Sequence, residues 1–346
     1  MRFIGNKTQL LDNIKEVVDR HASGSEIFCD IFSGTASVAR YFKQWYTVYS
    51  NDILYFSYCL QRGTVEISKK PDFSALQNSL GICNPVLYFN TIDTPQMEVL
   101  EQDRRFFQNN YSPNGDRMYM TDSNALRVDY ARNTVEDWFN KKYINDDEYY
   151  YLVACIIEGI PFISNIAGTY GAFSKKWDAR SNKTFELIDL PVINNGKDNR
   201  CFNCDGAELL SKIKGDILYI DPPYNERQYL PNYHVLETAA KYDFPELRGV
   251  TGQRAYENQR SDFCSKKTVY GAFESLIESA KFTHIILSYN TDGIMELSEI
   301  ERIMKTYGNP ESFEVNYIPY RRFKSHRASS HEEDLKEMLI YIRKDL

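Results

Sequence analysis

The sequence has no long uninterrupted apolar run. Its most apolar stretch, residues 152–167, is broken by Glu158, Pro161 and Asn165, which excludes a membrane span there. Arg2, Asn6, Lys7 and Gln9 precede any apolar run, so no signal peptide is expected. No repeat or low-complexity tract stands out, which argues against a solenoid or a disordered scaffold. Positive charge is in deficit: 41 Lys and Arg face 48 Asp and Glu, for a net charge of −7. A chain of that sign does not coat nucleic acid through bulk charge, although a local basic groove stays possible. The seven cysteines are odd in number and scattered, which points to a reducing cytoplasm. Cys201 and Cys204 have CxxC spacing, but no second CxxC or His pair completes a four-ligand zinc site. Buried thiols near a strand are the expectation, and no metal is expected. The G-x-G-x-x-G dinucleotide fingerprint is absent too. Gly5-Asn6-Lys7-Thr8 has the tail of a P-loop without its upstream glycine or a preceding strand, so phosphate cradling is rejected.

What is present is an ordinary globular composition, 42% hydrophobic and 26% charged, over 346 residues. That length predicts about two structural units. Leu10, Leu11, Ile14 and Val17 recur at helical spacing and predict a helix over 6–18. A β-rich run over 26–31 ends in Ser33-Gly34-Thr35, and an amphipathic stretch over 36–45 follows. A second strand over 46–49 ends at Asn51-Asp52, with a helix from about residue 53. This is the start of a parallel α/β sheet. Residues 63–200 then offer few clean strands, with helices predicted over 101–109 and 137–157, a turn at 112–115 and a surface loop over 168–183. The α/β rhythm resumes with a strand over 216–220, a helix over 233–242, a strand over 283–289 and a helix over 295–305. Strands over 312–318 and 337–342 are predicted to close the sheet as an antiparallel hairpin, with the basic run 320–327 between them. The middle therefore reads as an insertion: 1–62 and 200–346 form one domain and 63–199 another.

Three segments carry chemistry. Asp30-Ile31-Phe32-Ser33-Gly34-Thr35 is a strand-to-helix turn, where a ligand can approach backbone N–H groups. An ordinary connection would look the same. Asp52 follows that glycine at the spacing of an acid that accepts ribose hydroxyls, which points to a nucleoside-containing cofactor; a helix N-cap is the plain alternative. Asp221-Pro222-Pro223-Tyr224 directly follows an apolar strand. Two prolines stop the strand and stiffen the turn, fixing a carboxylate, a carbonyl and an aromatic ring at the ligand-binding edge of an open sheet. A planar amine can donate one N–H to Asp221 and the other to the Pro222 carbonyl, while Tyr224 stacks on its ring.

Together these segments resemble the Dam-like, alpha-class adenine-N6 DNA methyltransferases, in order as well as in motif. Residues 2–7, with Phe3 and Lys7, are similar to that family's N-terminal cofactor motif, with Ile4-Gly5 in place of two glycines. Asp30, Phe32, Ser33 and Gly34 are similar to its glycine-loop motif, and Asp52 to its ribose-binding acid. Asp205 resembles the acid near the cofactor adenine, and Asp221-Pro222-Pro223-Tyr224 is the catalytic tetrapeptide unaltered. Residues 225–229 and 288–290 resemble later family segments. The resemblance covers about 1–52 and 199–346.

It implies an α/β class I S-adenosylmethionine-dependent methyltransferase, with a Rossmann-like seven-stranded sheet and a mostly helical inserted target-recognition domain. It implies S-adenosylmethionine as cofactor and double-stranded DNA as partner, with methyl transfer to a flipped-out adenine in a bacterial restriction–modification system. A cognate endonuclease would act on the same site without direct binding. Candidate DNA contacts are Lys175, Lys176 and Arg180 around Trp177, Arg227 and Tyr229 after the tetrapeptide, and Arg321, Arg322 and Lys324 in the late basic run. Cytosine-N4 methylation is the nearest alternative, disfavoured because serine more often leads the tetrapeptide there. A nucleic-acid-binding module without catalysis and a nicotinamide-dependent oxidoreductase are more distant readings.

Overall fold

The computed structural model describes residues 7–319 and 336–346. Phe3, Arg321, Arg322 and Lys324 lie outside the described residues. Among the described residues, no helix is long and apolar enough to cross a membrane.

The chain divides into two compact units. The first comprises Lys7–Ile53, Lys197–Gln228 and Arg260–Leu346. It holds seven strands: β1 (Ile27–Asp30), β2 (Thr47–Asn51), β3 (Arg200–Phe202), β4 (Gly215–Ile220), β5 (Phe282–Asn290), β6 (Glu314–Pro319) and β7 (Lys336–Arg343). They form one sheet in the order β3-β2-β1-β4-β5-β7-β6. β1, β2, β3, β4 and β5 pair in parallel, whereas β7 runs antiparallel to both β5 and β6. The predicted closing hairpin is thus present.

Both faces of a parallel sheet must be covered, so the central strands β4 and β5 are mostly apolar and buried, whereas the edge strands β3 and β6 are partly exposed. On one face Cys29, Ile31, Leu218, Ile220, Ile285 and Leu287 meet Leu209, Phe273, Leu276, Ile300 and Ile303 from helices Gly206–Lys212, Val269–Ser279 and Leu297–Tyr307. Phe28, alternating with Cys29, points the other way and stacks on Phe42 of helix Ser37–Phe42, with ring centroids 4.1 Å apart. Helix Leu11–His21 buries Ile14, Val17 and Val18. It begins later than the 6–18 spacing suggested.

The second unit contains Leu54–Gly196 and Tyr229–Gln259. The compact unit therefore starts before residue 63, ends before 199, and also takes in helix Leu230–Lys241. Between β2 and β3 the described residues hold helices and turns but no strand. The single helix expected over 137–157 is two, Asp122–Asn140 and Asp146–Ile163. Lys142, at φ +61°, turns the chain out of the first. Asn145 starts the second with a capping box, its side chain accepting from Glu148 N while Glu148 accepts from Asn145 N. The helix predicted over 101–109 is a 3-10 turn, Gln102–Arg104, followed by Phe106–Asn110, and the 112–115 turn includes the 3-10 turn Pro113–Gly115. Within helix Asp146–Ile163, a Cβ on Gly159 would collide with the Glu186 carbonyl. That close approach lets the following segment run against the helix, where Ile188 N donates to Cys155 O.

Candidate active site

β1 and β4 are adjacent and parallel, with Asp30 in register with Tyr219. From β1 the strand order proceeds outward through β2 and β3, and from β4 outward through β5. This is the switch point of an open α/β sheet, where ligands bind beyond the carboxyl ends of the strands. The glycine turn leaves β1 here and the tetrapeptide leaves β4.

The glycine turn is held by backbone and side chain together. Ser33 N donates to Asn51 O at 2.9 Å, and Ser33 Oγ donates to Asp30 O at 2.8 Å. Gly34 has φ +51° and Ala36 φ +58°, so the chain makes two left-handed turns before the helix starts. Asp52 does not cap a helix. The following helix, Tyr55–Gln61, has Leu54 at its N-cap, without a side-chain cap. Instead Asp52 Oδ2 accepts the Gly34 N–H at 2.8 Å, tying the end of β2 to the turn after β1. Asn51 joins the neighbouring ends by donating to Ile31 O and Cys204 O, both at 3.1 Å.

Asp30 is 1% exposed; neither carboxylate oxygen makes a hydrogen bond of ordinary geometry, and the nearby Ser33 side chain and Ala39 backbone N–H offset only part of the cost of its charge. Burial, then the nearby charges of Asp221 and Asp52, push its pKa well up. A buried carboxylate without a well-formed hydrogen bond is costly, and functional sites are where such groups occur. Phe32 packs edge-on against Phe263 at 5.2 Å. Asp205 is exposed and caps helix Gly206–Lys212, accepting from Ala207 N and Glu208 N at 2.9 and 3.1 Å. Cys201 Sγ lies 3.3 Å from Ser50 Oγ, and Cys204 Sγ donates to Asn51 Oδ1 at 3.6 Å.

After β4, Pro222 is buried and Asp221, Pro223 and Tyr224 are partly exposed. Tyr224 O accepts from Ile294 N at 3.1 Å, which anchors the tetrapeptide to the loop after β5. Lys7, expected among the cofactor residues, has its ammonium 3.2 Å from Asp221 Oδ1 and in contact with Glu337 Oε1. Ser288 Oγ donates to the same Glu337 oxygen at 2.9 Å. Burial pushes Asp221 up to about 7; Lys7 opposes the shift and Glu337 adds to it. Burial works against the Lys7 charge, but the two carboxylates more than offset it and raise its pKa. Glu337 was missed from sequence. It lies 330 positions from Lys7, and its only local signal is a charge leading an apolar strand.

The candidate DNA contacts divide between the units. Lys175 and Lys176 are exposed, and Trp177 is 38% exposed. Arg180 donates to Ile166 O at 2.7 Å and to Asp178 at 3.0 Å, both from one terminal nitrogen of its guanidinium. Arg227 is exposed, and its carbonyl accepts from Cys264 Sγ at 3.4 Å. Tyr229 is partly buried beside Tyr233, with ring centroids 6.3 Å apart.

A sheet of this order, with β7 antiparallel and an acid-led turn after β4, has the fold of class I S-adenosylmethionine-dependent methyltransferases. The chain belongs to the D12 class N6 adenine-specific DNA methyltransferase family, whose pattern matches residues 3–304. It is 46% identical over 349 residues to the type II methyltransferase M.FokI of Planomicrobium okeanokoites, covering 100% of this chain and 53% of that protein. It is 44% identical to the modification methylase StsI of Streptococcus sanguinis, covering 99% of this chain and 52% of that protein. It is 33% identical to the type II methyltransferase M.NlaIII of Neisseria lactamica, covering 99% of this chain and 98% of that protein. The chain thus spans about half the length of the first two and nearly all of the third.

Proposed function

We propose that this chain methylates the N6 amino group of adenine in double-stranded DNA, using S-adenosylmethionine, at a specific sequence. The observation that carries the reading is Asp221-Pro222-Pro223-Tyr224 at the switch point, beside the buried Asp30 carboxylate, in a chain of the adenine-N6 family. The donor set suits the cofactor. A cation bearing an ammonium and a sulfonium answers a buried carboxylate that the protein satisfies only in part, and Asp52 at the glycine turn would accept ribose hydroxyls. Asp30, Phe32, Ser33, Gly34 and Asp52 would hold it, with Asp205 at the adenine end. When bound, it supplies an electrophilic methyl group.

The protein's own residues do the rest. A base within a duplex cannot reach this edge, so the adenine must flip out at a cost of a few kcal/mol. Tyr224 returns about 1–3 kcal/mol by stacking. Asp221 and the Pro222 carbonyl accept the two amine N–H bonds, which turns the nitrogen lone pair away from conjugation with the ring. Orientation of this kind is worth roughly 7–11 kcal/mol at best. The nitrogen gains a methyl group and sheds one proton. Asp221, with a pKa of about 7, can take that proton near neutral pH. No covalent enzyme intermediate is required.

The helical unit is the target-recognition part in this reading, with Lys175 and Lys176 contacting phosphates. The type II and modification-methylase names of the relatives favour a role in shielding bacterial DNA from an endonuclease that reads the same site, without direct binding between the two. The test is methylation of mixed genomic DNA with labelled cofactor, comparing wild type with Asp221→Ala. N6-methyladenine from wild type alone is the expected product. Label on cytosine N4, or none on DNA, overturns the reading.

A further inference from the structure

Glu337 is the second residue of β7, in register with Asn290 of β5 and Ile318 of β6. The next five residues, Met338, Leu339, Ile340, Tyr341 and Ile342, are all buried and apolar or aromatic. Glu337 is itself 4% exposed. A buried carboxylate costs several kcal/mol unless it is well paired. Closing a sheet does not require one. Here it is paired on two sides, by the Lys7 ammonium and by the Ser288 hydroxyl at 2.9 Å.

The same ammonium lies 3.2 Å from Asp221. One cation therefore bridges two carboxylates of unequal access. The Asp221 side chain is 19% exposed and the Glu337 side chain 5%. Only Asp221 is open to an incoming amine; Glu337 acts through Lys7. Among the described residues, the other titratable groups in electrostatic reach are Asp30 of β1 and the buried Tyr219 phenol of β4. Neither supplies a positive charge.

We propose that Glu337 is a positioning residue that holds the Lys7 ammonium against Asp221, so that β7 sets the state of the carboxylate that receives the amine. The inference rests on the methyltransferase reading above, and its geometry lies wholly within the sheet unit. The Lys7 ammonium has Asp221 as one anionic partner and Glu337 as a second. The Ser288 hydroxyl donates to the same Glu337 oxygen that meets Lys7. Glu337 also adds negative charge near Asp221, so its two effects separate by substitution. Glu337→Gln keeps an acceptor for Lys7 and Ser288 but removes the charge. Glu337→Leu removes both.

The test follows the carboxyl carbon of Asp221 by NMR in the cofactor-free protein across pH, assigned by its absence in Asp221→Asn. Glu337→Gln is expected to lower the Asp221 midpoint by about one unit, and Lys7→Met to raise it by about 1–3 units. In methylation assays the acid limb of kcat should move with the midpoint. Glu337→Leu should lose about tenfold in kcat with the DNA KM little changed, and Glu337→Gln should recover most of that loss. Because both variants lack the charge, loss of the Lys7 anchor should leave the Asp221 midpoint higher in Glu337→Leu than in Glu337→Gln; equal midpoints in the two, with folding intact by thermal melting, overturn the proposal. So does full kcat in Glu337→Leu. The NMR readout needs no methyl transfer. If wild type makes no N6-methyladenine, the proposed function fails, and a midpoint higher in Glu337→Leu than in Glu337→Gln still supports the positioning role.

Discussion

Replacing Asp221 with Asn should abolish most activity and yet stabilise the protein at alkaline pH. The Asp221 carboxyl titrates at about 7 in the folded chain against an ordinary value of 3.8, with burial as the main cause. The folded state therefore binds more protons than the unfolded state between those values. The stability this contributes is complete below about pH 4 and is lost as pH rises through 7. Above that, the ionised carboxylate penalises the fold by up to about 4 kcal/mol, at about 1.36 kcal/mol per unit. Asn carries no charge at any pH and leaves Lys7 paired with Glu337. Any fixed cost of the substitution, including the weaker hold on Lys7, cancels when two pH values are compared. Linkage then makes the Asn variant's advantage grow by about 2 kcal/mol between about pH 5.5 and about pH 8.5. For an entropy of unfolding proportional to the 346 residues, that is roughly 3 °C in Tm. Paired thermal melts across this window measure it, alongside a kcat loss of about 10²–10³ from removing an ionised acceptor. A pH-independent Tm difference, or one that shrinks as pH rises, refutes the assignment of a raised pKa to Asp221.

Asp52→Asn weakens the acceptor of the Gly34 N–H, so the dissociation constant for S-adenosylmethionine should rise about tenfold with kcat at saturation nearly unchanged, as measured by calorimetry and saturation kinetics. Lys175→Gln combined with Lys176→Gln removes two exposed charges, and the slope of log K for DNA against log salt should fall by about 1.8 in fluorescence titrations. An unchanged slope would take these lysines out of the phosphate contact set.

The readable parts of the site were those built by short stretches of chain. An apolar strand followed by Asp-Pro-Pro-Tyr announces its own turn, because proline restricts both itself and the residue before it. The glycine turn and the acid at residue 52 were legible for a similar reason, since spacing in a βαβ unit is fixed by strand and helix lengths. The role of Asp52 at Gly34 was not, because a capping aspartate and a turn-holding aspartate look alike in sequence. β3 escaped because three residues of an edge strand, Arg200-Cys201-Phe202, carry no alternation to read. The break between helices Asp122–Asn140 and Asp146–Ile163 depended on a left-handed Lys142, a conformation that lysine does not advertise.

Local chemistry in the chain thus determined the α/β class, the order of the motifs and the identity of the tetrapeptide. Tertiary structure decided which charges meet. Lys7, Asp221 and Glu337 come from three distant segments and converge because β4, β5 and β7 lie side by side. Their energies depend on burial, which exists only once the sheet is covered. A carboxylate near its ordinary pKa in the unfolded chain becomes a group poised near neutrality in the folded one, and that change belongs to the packing rather than to the residue.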